Sequence, residues 1–135
     1  MPIAEGKIFE FESIEKIRTD FLETIPYRGE RQYVTYETAE FTAVCPFSGL
    51  PDIGKIKVEY IPEIKCLELK SFKYYLVSFR NVGIYQEEAT NRIFLDLYKV
   101  VDPLYLKVSS FYNTRGGIDA TCYLEKGRKE ILNRD

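Results

Sequence analysis

Cys45 ends the run Glu40-Phe41-Thr42-Ala43-Val44-Cys45-Pro46, and Asp52 follows seven residues later, beyond Gly49 and Pro51. A thiol is a soft nucleophile once ionised, and a carboxyl one short loop away is a proton donor for whatever the thiol attacks. Further on, Glu68-Leu69-Lys70-Ser71-Phe72-Lys73-Tyr74-Tyr75 carries two lysines, a serine and a carboxylate at helical spacing. Lys70 and Lys73 lie three apart, so they share a helix face away from Leu69, Phe72 and Leu76. Beside Ser71 and a helix N-terminus, two ammonium groups suit a phosphate. Together these residues point to a thiol-based enzyme that also holds a phosphorylated cofactor. Each has a plain structural reading as well. A lone cysteine is most often a small buried hydrophobe, an aspartate after proline a turn residue, and a lysine pair a solvated face.

The chain contains no histidine. That excludes Cys-His and Ser-His pairs and any His-ligated metal, and leaves acid–base work to Asp, Glu, Lys, Tyr or Cys. Cysteines 45, 66 and 122 lack Cys-x-x-Cys spacing, so no metal is expected. Their odd number fits a reducing compartment, and the expected location is cytoplasmic. Neither nucleotide-binding glycine motif is present, so a dinucleotide must be held by another design. At 135 residues the chain is one domain by size, with 45% hydrophobic and 30% charged residues. A net charge of -2 gives no whole-molecule attraction to nucleic acid or anionic membrane. No apolar run approaches the roughly 18 residues that a membrane span needs, and the first residues do not read as a signal peptide.

The elements that must position these residues follow from periodicity. Residues 1–30 read as an N-terminal extension with a short strand at 7–11. Segment 32–44, rich in Tyr, Thr, Val and Phe, predicts a strand. Alternation of Ile56, Val58 and Tyr60 with Lys55, Lys57 and Glu59 predicts a half-buried antiparallel strand over 55–61. Leu69, Phe72, Leu76 and Phe79 predict a helix over 69–81, broken by Gly83. Ala89, Ile93, Leu97 and Val101 predict a second helix that stops before Pro103. Strands follow at 104–112 and 118–124 around a turn at 113–117. Residues 31–125 form the domain, and 126–135 a charged, frayed tail. The class is α+β: a four-stranded antiparallel sheet in ββααββ order, with two helices on one face. The other face, expected to be rich in Tyr and Phe, calls for cover by self-association.

With Cys45, Asp52, the octad and this order in place, the sequence resembles the 7-cyano-7-deazaguanine reductases, the nitrile reductases of queuosine biosynthesis. These belong to the tunnelling-fold group. The resemblance runs from about Glu40 to Gly117, through Glu-Phe-Thr-x-x-Cys-Pro, Gly49-x-Pro51-Asp52, Tyr60-Ile61-Pro62, the octad, Ser78-Phe79-Arg80-Asn81, Gln86-Glu87 and Arg115-Gly116-Gly117. It implies reduction of a nitrile to a primary amine with two NADPH, no metal and no direct contact with nucleic acid. Cys45 would add to the nitrile carbon to give a covalent thioimide, and Asp52 would protonate the nitrogen. Leu67, Glu68, Leu69, Gln86 and Glu87 match substrate-contacting positions. Lys70, Ser71, Lys73 and Arg115 would hold the cofactor.

The resemblance also implies a homodecamer of two five-membered rings joined into a barrel. One departure stands out: well-known members carry histidine at the position of Gln86, which can hydrogen-bond but cannot titrate near neutral pH. Three rivals differ in what they need. A related amidinotransferase acting on the same nitrile in transfer RNA needs no hydride and has no use for the octad. A cyclohydrolase of the same fold needs zinc-binding histidine. A non-catalytic purine- or pterin-binding oligomer would keep Glu87 but has no reason to pair Cys45 with Asp52.

Overall fold

The computed structural model describes residues 2–133. Its main sheet has four antiparallel strands in the order β2 (Val34–Val44), β3 (Pro51–Ile61), β5 (Tyr105–Arg115) and β6 (Ile118–Gly127). A two-stranded ribbon pairs β1 (Thr24–Pro26) with β4 (Lys65–Leu67). The helices α1 (Leu69–Val77) and α2 (Gln86–Val101) cover one face of the main sheet. No helix among the described residues is long and apolar enough to cross a membrane.

The alternation in β3 places Asp52, Gly54, Ile56, Val58 and Tyr60 on the helix-covered face, all buried. Their cross-strand partners Leu106, Val108, Ser110 and Tyr112 line the same face of β5. A register shift between Thr38 and Phe41 re-aims the end of β2. Beyond it Phe41 and Ala43 join the core opposite Gly54 and Asp52. The stripe Ala89, Ile93, Leu97 and Val101 of α2 closes over this surface as the spacing predicts. Asp102, in the left-handed conformation, ends the helix just before Pro103.

Four expectations need correction. Segment 7–11 forms no strand, and the strand of the N-terminal region is β1, too short to show an alternating pattern. Ile17 and Leu22 from this region are part of the core, and Thr24–Pro26 pairs with β4, so this part of the expected extension packs onto the domain. The helix expected over 69–81 stops at Val77. After it, Val82 and Gly83 are claimed by parallel bridges to Glu12 and Val44, and successive tight turns at Phe79, Arg80 and Val82 lead the chain there. The last strand runs to Gly127, and Lys129–Asn133 makes a 3-10 turn whose Ile131 carbonyl accepts from Arg31 Nη1 at 3.2 Å. Of the tail expected to fray, residues 134–135 lie outside the described residues.

The fourth correction is that the strand expected over 55–61 begins at Pro51, so Asp52 lies within it rather than in the loop before it. The aromatic residues of the sheet divide between its two faces. Tyr36, Tyr60 and Tyr112 point into the core rather than outward. The open face is mixed: Thr35, Glu37, Lys55, Lys57, Glu59 and Lys107 stand among Tyr33, Tyr105, Phe111 and Tyr123, with Lys55 paired to Glu37 and poised over Phe111, and Lys107 over Tyr123. A one-residue alternation fixes which side chains face in, but not which face receives the helices.

Ile17 is 5% exposed and lies inside the core cluster. Ile17→Ala should therefore lower unfolding stability by roughly 2–5 kcal/mol, the cost of deleting a buried aliphatic side chain. Chemical denaturation checks this. A change near zero would mean that the N-terminal region does not share the core.

Candidate active site

The β2–β3 hairpin builds the centre. Val44 pairs with Pro51 and Ala43 with Asp52, so the loop between them is short and closed. The Cys45 amide donates to Leu50 O at 2.9 Å, and the Gly49 amide donates to Cys45 O at 2.7 Å. Gly49 has φ +73, and an added Cβ would come within 2.2 Å of Phe9 O. Only glycine allows this turn beneath the N-terminal segment. Cys45 is partly exposed and Asp52 is buried. Residues 82–84 then run beside the end of β2, with the Val44 amide donating to Val82 O and the Ile84 amide to Val44 O. That pairing brings the start of α2, with Gln86 and Glu87, to the thiol loop.

The electrostatics separate the two candidate groups. Burial pushes the Cys45 thiol up, but the backbone amides of Phe47 and Ser48 and the Ser48 hydroxyl outweigh it; Asp52 opposes them, and the net direction is downward. Burial also pushes Asp52 up, only partly offset by the Arg115 guanidinium and by Gln86, so its net direction is upward. Lowering the thiol and raising the carboxyl is the division of labour that a nucleophile and a proton donor need.

The other expected residues are placed unevenly. Arg115 does not stand free. Its Nη1 lies 2.9 Å from Asp52 Oδ1, and its Nη2 donates to Pro51 O at 2.6 Å. Gly116 and Gly117, with φ +57 and +76, close the two-residue β5–β6 turn beside it. Gln86 lies beside Asp52, and its carbonyl accepts from Thr90 Oγ1 at 2.9 Å. Glu87 is exposed in the first turn of α2.

Glu68 is the N-cap of α1, accepting from the amides of Lys70 at 2.6 Å and Ser71 at 2.9 Å. Those amides are thus occupied and do not form an anion site. Ser71 is buried; its hydroxyl donates to Glu68 O at 2.8 Å and accepts from the Glu23 amide at 3.0 Å. Leu67 is buried, its backbone engaged by the Tyr60 and Tyr36 phenols.

Lys70, Lys73 and Leu69 instead line a groove of about 640 Å³ between β2 and α1, with Phe41, Phe72 and Leu76 among its walls and Arg80 at its rim. Three cations beside an apolar wall fit a phosphorylated cofactor with a flat ring. Cys45 and Asp52 are not among its lining residues.

Sequence reasoning missed Ser48, whose signal was its place in the tight Pro46–Gly49 segment after the thiol. It also missed Tyr112, whose buried hydroxyl has no hydrogen-bond partner among the described residues. This phenol lies in the field of Asp52 and Glu87.

The thiol's ionisation can be read directly. Alkylation of Cys45, followed by mass spectrometry against pH, should show a midpoint below that of an ordinary thiol. Because the Asp52 carboxylate disfavours the thiolate, Asp52→Asn should move the midpoint lower still, whereas Ser48→Ala should move it upward. A midpoint that ignores both substitutions would refute the loop as the source of the shift.

A family model described as QueF-like protein matches residues 51–131. The chain is 58% identical over 122 residues to the NADPH-dependent 7-cyano-7-deazaguanine reductase of Thermotoga maritima, a match covering 90% of this chain and 89% of that protein. It is 50% identical over 112 residues to the protein of the same name from Caldicellulosiruptor bescii, covering 82% and 86%. A crystal structure of the archaeosine synthase QueF-Like in the apo form superposes with a TM-score of 0.65 at 25% identity, over 76% of this chain and 98% of that one. The four-stranded sheet with two helices on one face is thus the tunnelling fold, and the chain belongs to the QueF-like protein family.

Proposed function

We propose that this chain is an NADPH-dependent oxidoreductase of queuosine biosynthesis that reduces the nitrile of 7-cyano-7-deazaguanine to the primary amine. The observation that carries the reading is the pairing of Cys45 and Asp52 across one closed loop, with the thiol shifted down and the carboxyl shifted up. The relatives at 58% and 50% identity bear the reductase name. The octad with its two groove-facing lysines supports a hydride donor, and so weighs against the amidinotransferase.

In this reading the Cys45 thiolate forms a bond to the nitrile carbon, and one π bond of the nitrile breaks. Asp52 passes its proton to the nitrogen, leaving a neutral thioimide. Bound in the groove by Lys70, Lys73 and Arg80, one NADPH would supply a hydride to the thioimide carbon. The C–S bond would then break, returning the Cys45 thiolate and leaving an imine, and a second NADPH with a proton from solvent would take the imine to the amine. Glu87 would accept from the N–H and exocyclic amine of the base. Gln86 would hold the neighbouring polar edge as a neutral donor.

The site is completed by a second subunit. Within one chain the cationic groove and the Cys45–Asp52 loop are separate, so hydride donor and thioimide must meet across an interface. β2 and β6 are the open edges of the sheet, 11 and 10 residues long, and such edges call for pairing. A cytoplasmic homodecamer of two stacked rings satisfies both needs.

Mixing protein with the nitrile base and no NADPH should give a mass adduct equal to the substrate, lost in Cys45→Ala and kept in Cys66→Ala and Cys122→Ala. With NADPH present, its absorbance should fall, about two to four orders of magnitude more slowly in Asp52→Asn. Lys70→Ala or Lys73→Ala should raise the Michaelis constant for NADPH and leave the adduct intact. An adduct that persists in Cys45→Ala would overturn the assignment.

Light scattering under assay conditions checks the assembly. Activity should follow the ring, and a fully active monomer would refute the shared site.

A further inference from the structure

To give a proton to a nitrile nitrogen, Asp52 must be protonated. Yet in this structure a guanidinium lies 2.9 Å from Oδ1, an arrangement that favours the carboxylate. The two partners are unequally held. The side chain of Asp52 is 7% exposed, whereas that of Arg115 is 47% exposed. Arg115 borders a Gly-Gly turn with open space around both glycines, and its only acceptors among the described residues are Asp52 and Pro51 O. The arginine has room to leave, and the aspartate has none.

We propose that Arg115 is an exchangeable lock on Asp52: a cofactor phosphate draws the guanidinium away, and the freed carboxylate takes a proton from solvent for delivery to the nitrile nitrogen. This rests on the reductase reading above. Stripped of its counter-ion, a buried carboxyl loses about tenfold or more in acidity. The groups that face Asp52 leave little else to change its charge. They are Arg115 and Tyr112 from β5, Gln86 from α2 and Cys45 from the loop. Gln86 does not titrate, and burial holds the Tyr112 phenol protonated.

Each site takes up one proton when the cofactor binds. The carboxylate returns to Arg115 once that proton has passed to nitrogen. Neutral Asp52 also ceases to oppose the Cys45 thiolate, so the same exchange readies both acid and nucleophile. Arg115 acts through Asp52 and is a positioning residue.

Infrared difference spectroscopy on the assembled protein, labelled with 13C-aspartate and kept near neutral pH without nitrile, tests the exchange. Adding NADPH should produce a protonated-carboxyl band that is absent in Asp52→Asn. Arg115→Gln should show the band before NADPH is added and no further change after it. Arg115→Lys, which keeps the charge, should leave Asp52 ionised in the free protein. If calorimetry records NADPH binding but the wild-type band never appears, the lock is wrong and the reductase reading stands. If NADPH does not bind at all, the cofactor reading fails and the lock with it.

Discussion

The register of the β2–β3 hairpin is the constraint on which the candidate site depends. Val44 opposite Pro51 and Ala43 opposite Asp52 leave only residues 45–50 to connect the strands, and two backbone hydrogen bonds close that loop. One residue of slip would turn Asp52 out to solvent and remove the burial that raises its pKa. It would also pull Phe41 and Ala43 off the core. The bulge between Thr38 and Phe41 makes the present register compatible with an apolar inner face along all of β2. The geometry of the candidate site and the packing of the core are therefore specified by the same ladder.

Placing a carboxyl in that position is unfavourable unless something compensates, because a buried ion without partners loses its hydration. Arg115 and Gln86 supply compensation from two different elements, and the thiol loop supplies its own through inward-facing amides. Against the pull of burial, the Phe47 and Ser48 amides and the Ser48 hydroxyl shift the Cys45 thiol downward, in the tight turn that Pro46 and Gly49 shape. A site built on amides and one paired cation suits a chain without histidine.

The long elements were legible in the sequence because each buries one face. Alternation gave β3 from Lys55 onward but not its start at Pro51, where Asp52 sits, and the 3.6-residue stripe gave α2 to its last turn. Cys45 and Asp52 were legible because both flank a Pro/Gly loop. What could not be read was the partner of each polar group. Glu68 and Ser71 belong to the signature octad, yet within one chain they cap α1 and tie it to Glu23. Residue type could not distinguish capping from ligand contact, since both use the same donors and acceptors. The early end of α1 was hidden because Phe79 keeps the helical spacing while its backbone has already turned toward the bridge at Val82. The tyrosines divide between the two faces because a phenol suits both a core and a wet surface; Tyr36 and Tyr60 bury their rings and spend their hydroxyls on Leu67, while Tyr105 and Tyr123 lie on the helix-free face.

Gln86 makes the remaining point about proton supply. Well-known members of the resembled group carry histidine at this position, a side chain that can take up and release a proton near neutral pH. Glutamine cannot, so here it can only orient. In the proposed reading the acidity of the site comes from Asp52, set by burial on one side and by the position of Arg115 on the other. Under the proposed exchange the donor is on or off according to whether that one ion pair is made. Such a site has a reason to hold its arginine beside a turn of two glycines, where the backbone offers little resistance to its movement.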